Sequence, residues 1–363
     1  GTNVFMRYTL RMLTTQQFQR AASLICAMEF IRSNQYETKL GRTRFSLGLW
    51  IGGEGSPNTC EKANAKLKQY KRGELAGNPL VLTECPWCKC EIGVLDRKPD
   101  GIKEKEWQQI SASGFSYENR KEPVLTCSDG GCHFNQEDTA TLPIEVIDER
   151  IYRIQPSMFI GTVDKFAMLA YKPEAGALFG RELVKGGLSE QVKMPPGLII
   201  QDEFHLISGP LGTMYGAYES IFEQLCTSVS ADGKKLKPKI IASTATIRGA
   251  QHQVKSIFAR DKMQLFPSPG LLMKDSFFGR YSTEQDSEKL SSGRLYLGVH
   301  AHGYGSFLTT QVRLFTAVLF RSWFFDDSKK DPWWTLLAFY NSIRELGGAR
   351  TLFSSDIAAR LKN

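Results

Sequence analysis

The sequence predicts an α/β protein whose parallel sheet is covered by helices on both faces. Short apolar segments, typical of buried strands, alternate with segments whose apolar residues recur at helical spacing. The strand-like segments begin at Phe45, Met158, Gly197 and Pro238. Such alternation is typical of doubly wound parallel sheets. A chain of 363 residues is longer than one ordinary core requires, so two domains are expected.

The elements follow in order along the chain. Residues 9–33 are predicted to form a helix, and 45–53 a buried strand that ends in a glycine pair. Residues 172–196 are rich in Gly, Pro and charged residues and should form a surface excursion. A helix is expected over about 212–226. Two more strands are expected in "GRLYLGVHA" and "WWTLLAFY", the second followed by a helix.

Composition suggests the domain boundaries. The first domain would span 1–267, with a polar, lysine-rich and cysteine-bearing insert at about 58–140. Residues 268–293, rich in Ser, Gly and charged residues, would form a linker, and 294–363 the start of a second, incomplete domain. Because the chain opens on Gly1, in a stretch typical of the inside of a fold, we expect it to be a piece of something larger.

The formal charge of +8 suits a polyanionic partner, although many ordinary solvated surfaces have the same balance. Much of the excess is local, and its members are Lys62, Lys66, Lys68, Lys71 and Arg72, then Lys234, Lys235, Lys237 and Lys239. No apolar run reaches the roughly 18–20 residues of a membrane span, so no membrane partner is expected. Eight cysteines without a secretory signal indicate a reducing compartment, which predicts a cytoplasmic protein.

Two short-spaced cysteine pairs lie in the insert. They are Cys85 with Cys88 and Cys127 with Cys132, and four thiolates from two such turns fit tetrahedral Zn²⁺. The second pair is spaced more widely than in the common pattern, so Cys90 or His133 could replace one ligand, and unligated thiols are a further alternative. A closed four-thiolate shell would have a structural role.

Adjacent carboxylates end the strand-like segment "GLIIQDEFH". At the carboxyl end of a parallel strand, Asp202 could hold Mg²⁺ and Glu203 could orient and deprotonate a water molecule. The alternative is that the two acids cap the next helix, whose N-terminus favours negative charge.

Several short motifs resemble those of superfamily 2 helicases and occur in the order of that family. Asp202-Glu203-Phe204-His205 resembles the DExH box, and Ser243-Thr244-Ala245-Thr246 resembles motif III. The stretch 161–166, "GTVDKF", resembles motif Ib. Thr9 and Arg11, with Gln16, are similar to motif Ia, although the arginine stands one place later than usual. Gly52-Gly53 resembles the glycine pair between those motifs.

A narrower resemblance covers nearly the whole chain. The segments "RYTLRMLTTQQFQRA", "FIGTVDKFAMLAY", "PPGLIIQDEFHLISGPLG" and "AFYNSIRELGG" resemble the helicase-like subunit of the DISARM anti-phage defence system (DrmA-type). This implies one RecA-like lobe with a zinc-bearing insert and the start of a second RecA-like lobe. It also implies ATP and Mg²⁺ as cofactors besides Zn²⁺. The implied partners are DNA, a second DISARM core subunit (DrmB-type) and, more loosely, the methyltransferase and nuclease of the same system.

The resemblance also implies residue roles. Asp202 would hold Mg·ATP, Glu203 would activate the hydrolytic water, and His205 would couple to the hydroxyls of Ser243 and Thr244. The residues that would contact DNA are Thr9, Arg11, Gln16, Gly52, Gly53, Gly161, Thr162 and Lys165.

Two departures leave two functions open. The 363 residues contain no G-x-x-x-x-G-K-[ST] phosphate loop and no motif VI. The first hypothesis is a DNA-dependent ATPase motor whose missing segments lie outside the chain. The second is a DNA-binding scaffold with a vestigial nucleotide site, which recognises foreign DNA with partner subunits.

Overall fold

The computed structural model describes residues 1–9, 11–53, 55–72, 74–75, 77–93, 113–119, 121–136, 141–166, 169, 171–183, 189–245, 249–268, 270–272, 275–282, 295–303 and 306–362. At residues 11–15, 164, 183 and 189 the description covers the backbone alone. The chain divides into two compact units, Gly1–Gln264 and Leu265–Asn363. In the predicted linker, residues 269, 273, 274 and 283–293 lie outside the described residues.

The elements of the described part have the following bounds. The strands are β1 (Val4–Tyr8), β2 (Leu47–Trp50), β3 (Phe115–Glu118), β4 (Glu122–Leu125), β5 (Ile144–Glu145), β6 (Met158–Thr162), β7 (Arg181–Leu183), β8 (Ser189–Gln191), β9 (Leu198–Gln201), β10 (Ser228–Val229), β11 (Lys235–Leu236) and β12 (Lys239–Ala242). The helices are α1 (Arg11–Gln35), α2 (Glu37–Leu40), α3 (Cys60–Lys71), α4 (Asp148–Ile154), α5 (Val163–Phe166), α6 (Gly209–Leu225), α7 (Ala250–Phe258), α8 (Phe307–Ser322), α9 (Asp327–Lys330), α10 (Ile343–Leu352) and α11 (Ala358–Lys362).

A parallel sheet organises the first unit, as predicted, and it has six strands, of which β1 and β5 were not expected. Its strand order is β12-β9-β1-β6-β2-β5. The register pairs Val4 with both Met158 and Leu198, and Leu198 in turn with Lys239. Because every pair is parallel, the carboxyl ends of all six strands meet at one edge of the sheet.

Apolar side chains cover both faces of this sheet. On one face Tyr8, Leu49 and Ile160 pack with residues of α1 and of the insert. On the other face Phe5 and Phe159 belong to a cluster to which α4 and α6 also contribute. Since successive strand residues point to opposite faces, this division shows that the sheet is buried on both sides.

The surface excursion predicted at 172–196 is exposed at 172–174 and at 190–194, but it also contributes to the core. A 3₁₀ helix at Pro173–Phe179 buries Leu178 and Phe179, and the Phe179 ring lies 5.3 Å from that of Phe5. The Gly and Pro residues of this segment correctly indicated turns. The burial of Leu178 and Phe179 was not predictable, because these two apolar residues belong to no periodic pattern.

Arg150 of α4 joins the insert to the sheet. Its guanidinium donates to Glu145 of β5 at 2.7 and 2.9 Å, and to Glu118 and Glu122 of the β3–β4 hairpin at 2.9 and 3.0 Å. The Arg150 side chain is only 2% exposed. A buried cation surrounded by three carboxylates holds the hairpin in place, because separating them would leave charges unpaired in the interior.

The second unit is helical in its described part. Helices α8, α10 and α11 pack around a π-helical turn at Phe353–Ile357. The two strands predicted here are absent from the described residues, since 295–300 and 334–340 have no ladder partner. Their β-branched and aromatic composition suited strands, but Leu295 and Phe339 are more than 80% exposed. A strand forms only where another strand pairs with it.

Candidate functional site

The turn after β9 carries the two adjacent carboxylates. The backbone N–H of Asp202 donates to the carbonyl oxygen of Arg7 at 3.1 Å, which extends the β9–β1 ladder by one residue. The Asp202 Oδ1 atom accepts from the backbone N–H of Glu203 at 2.9 Å and from the hydroxyl of Ser243. The Asp202 carboxylate is therefore oriented by its own turn and by the end of β12.

His205 lies between Glu203 and the end of β12. Its Nδ1 atom is 3.4 Å from Glu203 Oε2 and 3.2 Å from the hydroxyl of Thr244. The backbone N–H of Phe204 donates to the carbonyl of Ser243 at 3.0 Å, which ties the turn to β12. The structure therefore brings all five residues of the sequence-predicted catalytic set into one cluster.

The helix-cap alternative for the two acids is wrong. Helix α6 starts at Gly209 with Ser208 as its N-cap and has no acidic residue in its first turn. Glu203 precedes only the 3₁₀ turn Phe204–Leu206 and makes no side-chain cap there. Its backbone is left-handed, with φ of 49° and ψ of 43°. The Asp202 carboxylate contacts the Ser243 hydroxyl, and the Glu203 carboxylate contacts His205. Neither carboxylate caps a helix.

A buried polar network, which sequence reasoning did not predict, stabilises the turn after β9. The Gln201 side chain donates to the carbonyls of Arg7 and Asp202 at 3.3 and 2.9 Å and accepts from the Tyr215 hydroxyl at 2.9 Å. Arg7 makes a bidentate ion pair with Glu219 of α6 at 2.8 and 3.3 Å. Although burial works to lower the pKa of Arg7, Tyr215 and Glu219 raise it, so the guanidinium stays charged.

Tyr8 is a second residue that sequence reasoning missed. Its ring is 1% exposed at the end of β1. Burial, and then the nearby Asp202 carboxylate, raise the pKa of the Tyr8 hydroxyl. The hydroxyl is therefore a neutral donor beside Asp202.

Five of the residues predicted to contact DNA lie at the same edge of the sheet: Gly161 and Thr162 end β6, Gly52 and Gly53 follow β2, and Thr9 follows β1. Thr9 and Thr162 have buried hydroxyls for which the described residues supply no hydrogen-bond partner. Gly161 lies where an added Cβ would approach the carbonyl of Trp50 to 3.2 Å, so the backbone there needs glycine. Their role with DNA stays a prediction.

Lys165 points inward. Its ammonium is 2.8 Å from Asp148 Oδ2 and 5.5 Å from the centroid of the Trp50 ring, and its side chain is 11% exposed. This ion pair competes with the predicted phosphate contact. Gln16 is exposed on α1, whereas the side chain of Arg11 lies outside the described residues.

The four cysteines predicted as ligands meet in the insert. The sulfur atoms of Cys85, Cys88, Cys127 and Cys132 all lie within 4.8 Å of one another, and those of Cys88 and Cys127 are 3.3 Å apart. This set can hold a metal ion such as zinc. Of the two possible substitutes, Cys90 has its sulfur 3.3 Å from the Ser128 hydroxyl, and the His133 ring packs edge-on against Phe30.

The thiols of the cluster differ in acidity. Burial raises the pKa of Cys132 to about 11 and also raises that of Cys127. At Cys88 burial is opposed by a hydrogen bond from the backbone of Cys90 and by the neighbouring thiols, which together lower the pKa. Metal binding would release the protons that remain on the thiols of the cluster.

The cysteine turns pack against α1. The Trp87 ring stacks on Phe30 with centroids 4.9 Å apart, and the Ser23 hydroxyl donates to the carbonyl of Pro86 at 3.0 Å. Cys26 of α1 is fully buried beside them, and burial raises its pKa to about 12. The insert therefore rests on the helix that follows β1.

Comparison with known proteins identifies one curated relative. DISARM protein DrmA of Bacillus paralicheniformis is 35% identical over 398 aligned residues, which cover 100% of this chain and 33% of that protein. The chain is similar to a DISARM protein along its whole length. It spans about a third of the length of that relative. No family model matches the chain.

Within the described ranges, none of the helices combines the length and the apolar character that crossing a bilayer requires.

Proposed function

We propose that the chain carries part of the nucleotide site of an ATP-driven DNA helicase or translocase that acts in anti-phage defence. The observation that supports this most is the meeting of Asp202, Glu203, His205, Ser243 and Thr244 at the carboxyl edge of a parallel sheet. In open α/β sheets, ligands bind at this edge. The similarity to DISARM protein DrmA supports the defence context.

Asp202 is the residue suited to Mg²⁺. This ion takes hard oxygen ligands from one or two carboxylates together with substrate phosphates, and the metal would polarise the terminal phosphate. The Ser243 hydroxyl and the Glu203 N–H hold the Asp202 carboxylate in one orientation. A preset orientation lowers the entropy lost when the metal binds.

Glu203 is the proposed general base. Its carboxylate takes the proton from the attacking water, and the adjacent His205 imidazole holds that carboxylate beside Thr244. The contact links the turn after β9 to the end of β12. A movement of the turn after β9 would thus be transmitted to the end of β12.

The complete gene product is the protein to assay. Glu203→Gln should bind ATP and hydrolyse it at least about 100-fold more slowly, because a positioned base contributes about 10²–10⁴ to the rate. The control is Glu182→Gln, which removes an exposed carboxylate of β7. DNA-stimulated turnover by Glu203→Gln at the control rate would contradict the role of Glu203.

A DNA-binding scaffold with a vestigial nucleotide site is the second candidate. The 363 residues contain no G-x-x-x-x-G-K-[ST] sequence, which a functional phosphate cradle requires. DNA binding without any ATP hydrolysis by the unaltered gene product would support the scaffold over the motor.

For the cysteine cluster we propose one structural Zn²⁺ per chain. The four sulfur atoms supply a closed shell with no position for a substrate. Elemental analysis of the purified protein should give about one zinc per chain. Cys127→Ser should lose it, whereas Cys90→Ser should keep it. A folded, metal-free protein would contradict the proposal.

The proposed partners are the other components of such a defence system. They comprise a second core subunit of the DrmB type and, more loosely, the methyltransferase and nuclease. Purification of the tagged protein from cells that express the whole system tests this assembly, and recovery of the protein alone would contradict it.

A further inference from the structure

Helix α3 carries four lysines outside its buried face. The helix starts after Thr59, whose side chain accepts from the backbone N–H of Lys62 at 3.2 Å. It buries Ala63 and Leu67 against the insert core. The lysines lie on the rest of the helix surface. Lys62 and Lys68 are exposed, and Lys66 and Lys71 are half-buried.

Contacts place this helix beside the carboxyl edge of the sheet. The Lys66 ammonium donates to the carbonyl of Gly53 at 3.1 Å, just beyond the end of β2. The Asn64 side chain donates to the carbonyl of Lys121 at 2.7 Å, which brings the turn of the β3–β4 hairpin next to the helix. A surface therefore runs from the sheet edge across α3 to Lys121.

Within the described residues, no carboxylate neutralises the positive charge of this surface. In the described part of the chain, none of the five ammonium groups of Lys62, Lys66, Lys68, Lys71 and Lys121 forms an ion pair.

Three nearby carboxylates are already engaged elsewhere, and Glu61, exposed in the first turn of α3, forms no ion pair within the described residues. Glu118 and Glu122 bind Arg150, and Glu149 accepts from the backbone N–H of Cys60. Other insert cations do have carboxylate partners, as Lys89 does in Glu84.

We propose that these five lysines, here termed the α3 basic face, bind the phosphate backbone of double-stranded DNA. The inference rests on the proposed function and extends its DNA path from the sheet edge onto the insert. A helix of this length is about 18 Å long, and a duplex presents a phosphate charge about every 1.7 Å of its axis, so several contacts fit. Lysine ammonium groups recognise phosphates as point charges, so the surface binds without reading sequence.

Salt-dependent binding tests the α3 basic face. A fluorescein-labelled duplex of random sequence is titrated with the complete gene product from 50 to 200 mM salt. The slope of log K against log salt is negative, and each lost phosphate contact reduces its absolute value by about 0.9. Lys62→Gln/Lys68→Gln should therefore reduce the absolute slope by about 1.8 and weaken binding about tenfold at 50 mM. Lys62→Arg/Lys68→Arg should keep the original slope.

The matched control removes two charges from the opposite edge. Lys239 begins β12 at the amino edge of the sheet, and Lys235 precedes it on β11; both are exposed. Lys235→Gln/Lys239→Gln should bind as the unaltered protein does. An equal loss in this control would show that overall charge governs binding, and would overturn the proposal.

The remaining outcomes separate this inference from the proposed function. If the unaltered protein fails to bind the duplex at any salt, both are overturned. If it binds, and the Lys62→Gln/Lys68→Gln variant has the same slope, only the α3 basic face is overturned. Displacement of the duplex by poly-L-glutamate as effectively as by unlabelled DNA would overturn the choice of DNA over an acidic protein.

Discussion

Replacing Arg150 tests whether one buried cation holds the insert to the sheet. Arg150→Met keeps most of the side-chain volume and removes the guanidinium. Its partner Glu145 is 12% exposed and Glu122 is 18% exposed, whereas Glu118 is 45% exposed. Water can therefore solvate the Glu118 carboxylate after the change, but it solvates the other two poorly.

The expected loss follows from these exposures. Removing one partner of a buried ion pair costs about 3–5 kcal/mol, since the remaining charge has no compensation. The half-exposed contact to Glu118 adds less than about 1 kcal/mol. We expect the free energy of unfolding to fall by about 3–5 kcal/mol in total.

Urea unfolding of the chain, followed by tryptophan fluorescence, measures this change. The matched control is Arg153→Met, which removes a 50% exposed guanidinium that also contacts Glu122 and should cost at most about 1 kcal/mol. Adding Glu145→Gln to Arg150→Met should restore about 1–2 kcal/mol, because it removes a buried unpaired charge. Equal, small losses for Arg150→Met and Arg153→Met would refute the reasoning.

Three further outcomes are expected. Removing metal with a chelator should raise amide hydrogen exchange at residues 113–136 and leave β9 unchanged; protection that survives metal removal would show that the metal does not stabilise this part of the insert. Tyr215→Phe leaves the buried amide oxygen of Gln201 unpaired and should cost about 1–3 kcal/mol in urea unfolding, whereas Tyr218→Phe, at a 40% exposed position, should change it by less than about 0.5. Hydrogen bonds from Arg153, with the charge of Arg150, hold the pKa of Glu122 below its ordinary value of 4.5. Its stabilisation is therefore present above that value and lost as the pH falls, so Glu122→Gln should flatten the acid side of the stability curve measured by urea unfolding.

Local patterns predicted four of the six strands of the sheet, and the resemblance to helicase motifs predicted that the turn after β9 meets the turn after β12. The apolar run before Asp202 and the hydroxyl-rich turn after β12 each end a strand, and parallel strands end at one edge. The spacing of the cysteines likewise predicted which four sulfur atoms meet. These features depend on residues that are close in sequence or on strand ends that topology brings together.

Features that depend on distant partners were not predictable. Arg7 and Glu219 are 212 residues apart, and neither stands in a pattern that indicates the other. Lys165 has the motif position of a phosphate-binding residue, yet Asp148, 17 residues earlier, pairs with it in the interior. The segment around Phe339 has strand composition but no neighbouring strand among the described residues. Pairing is a tertiary property, and single-sequence periodicity carries no information about it.

The left-handed backbone of Glu203 lowers the stability of the fold, although the proposed activity needs its carboxylate. An L-residue with a long side chain pays roughly 1–2 kcal/mol in that conformation, which glycine and asparagine adopt more readily. We therefore expect Glu203→Asn or Glu203→Gly to make the fold more resistant to urea while abolishing hydrolysis. A selection for thermostable variants of this protein would be expected to discard this carboxylate early, unless the screen also demands function.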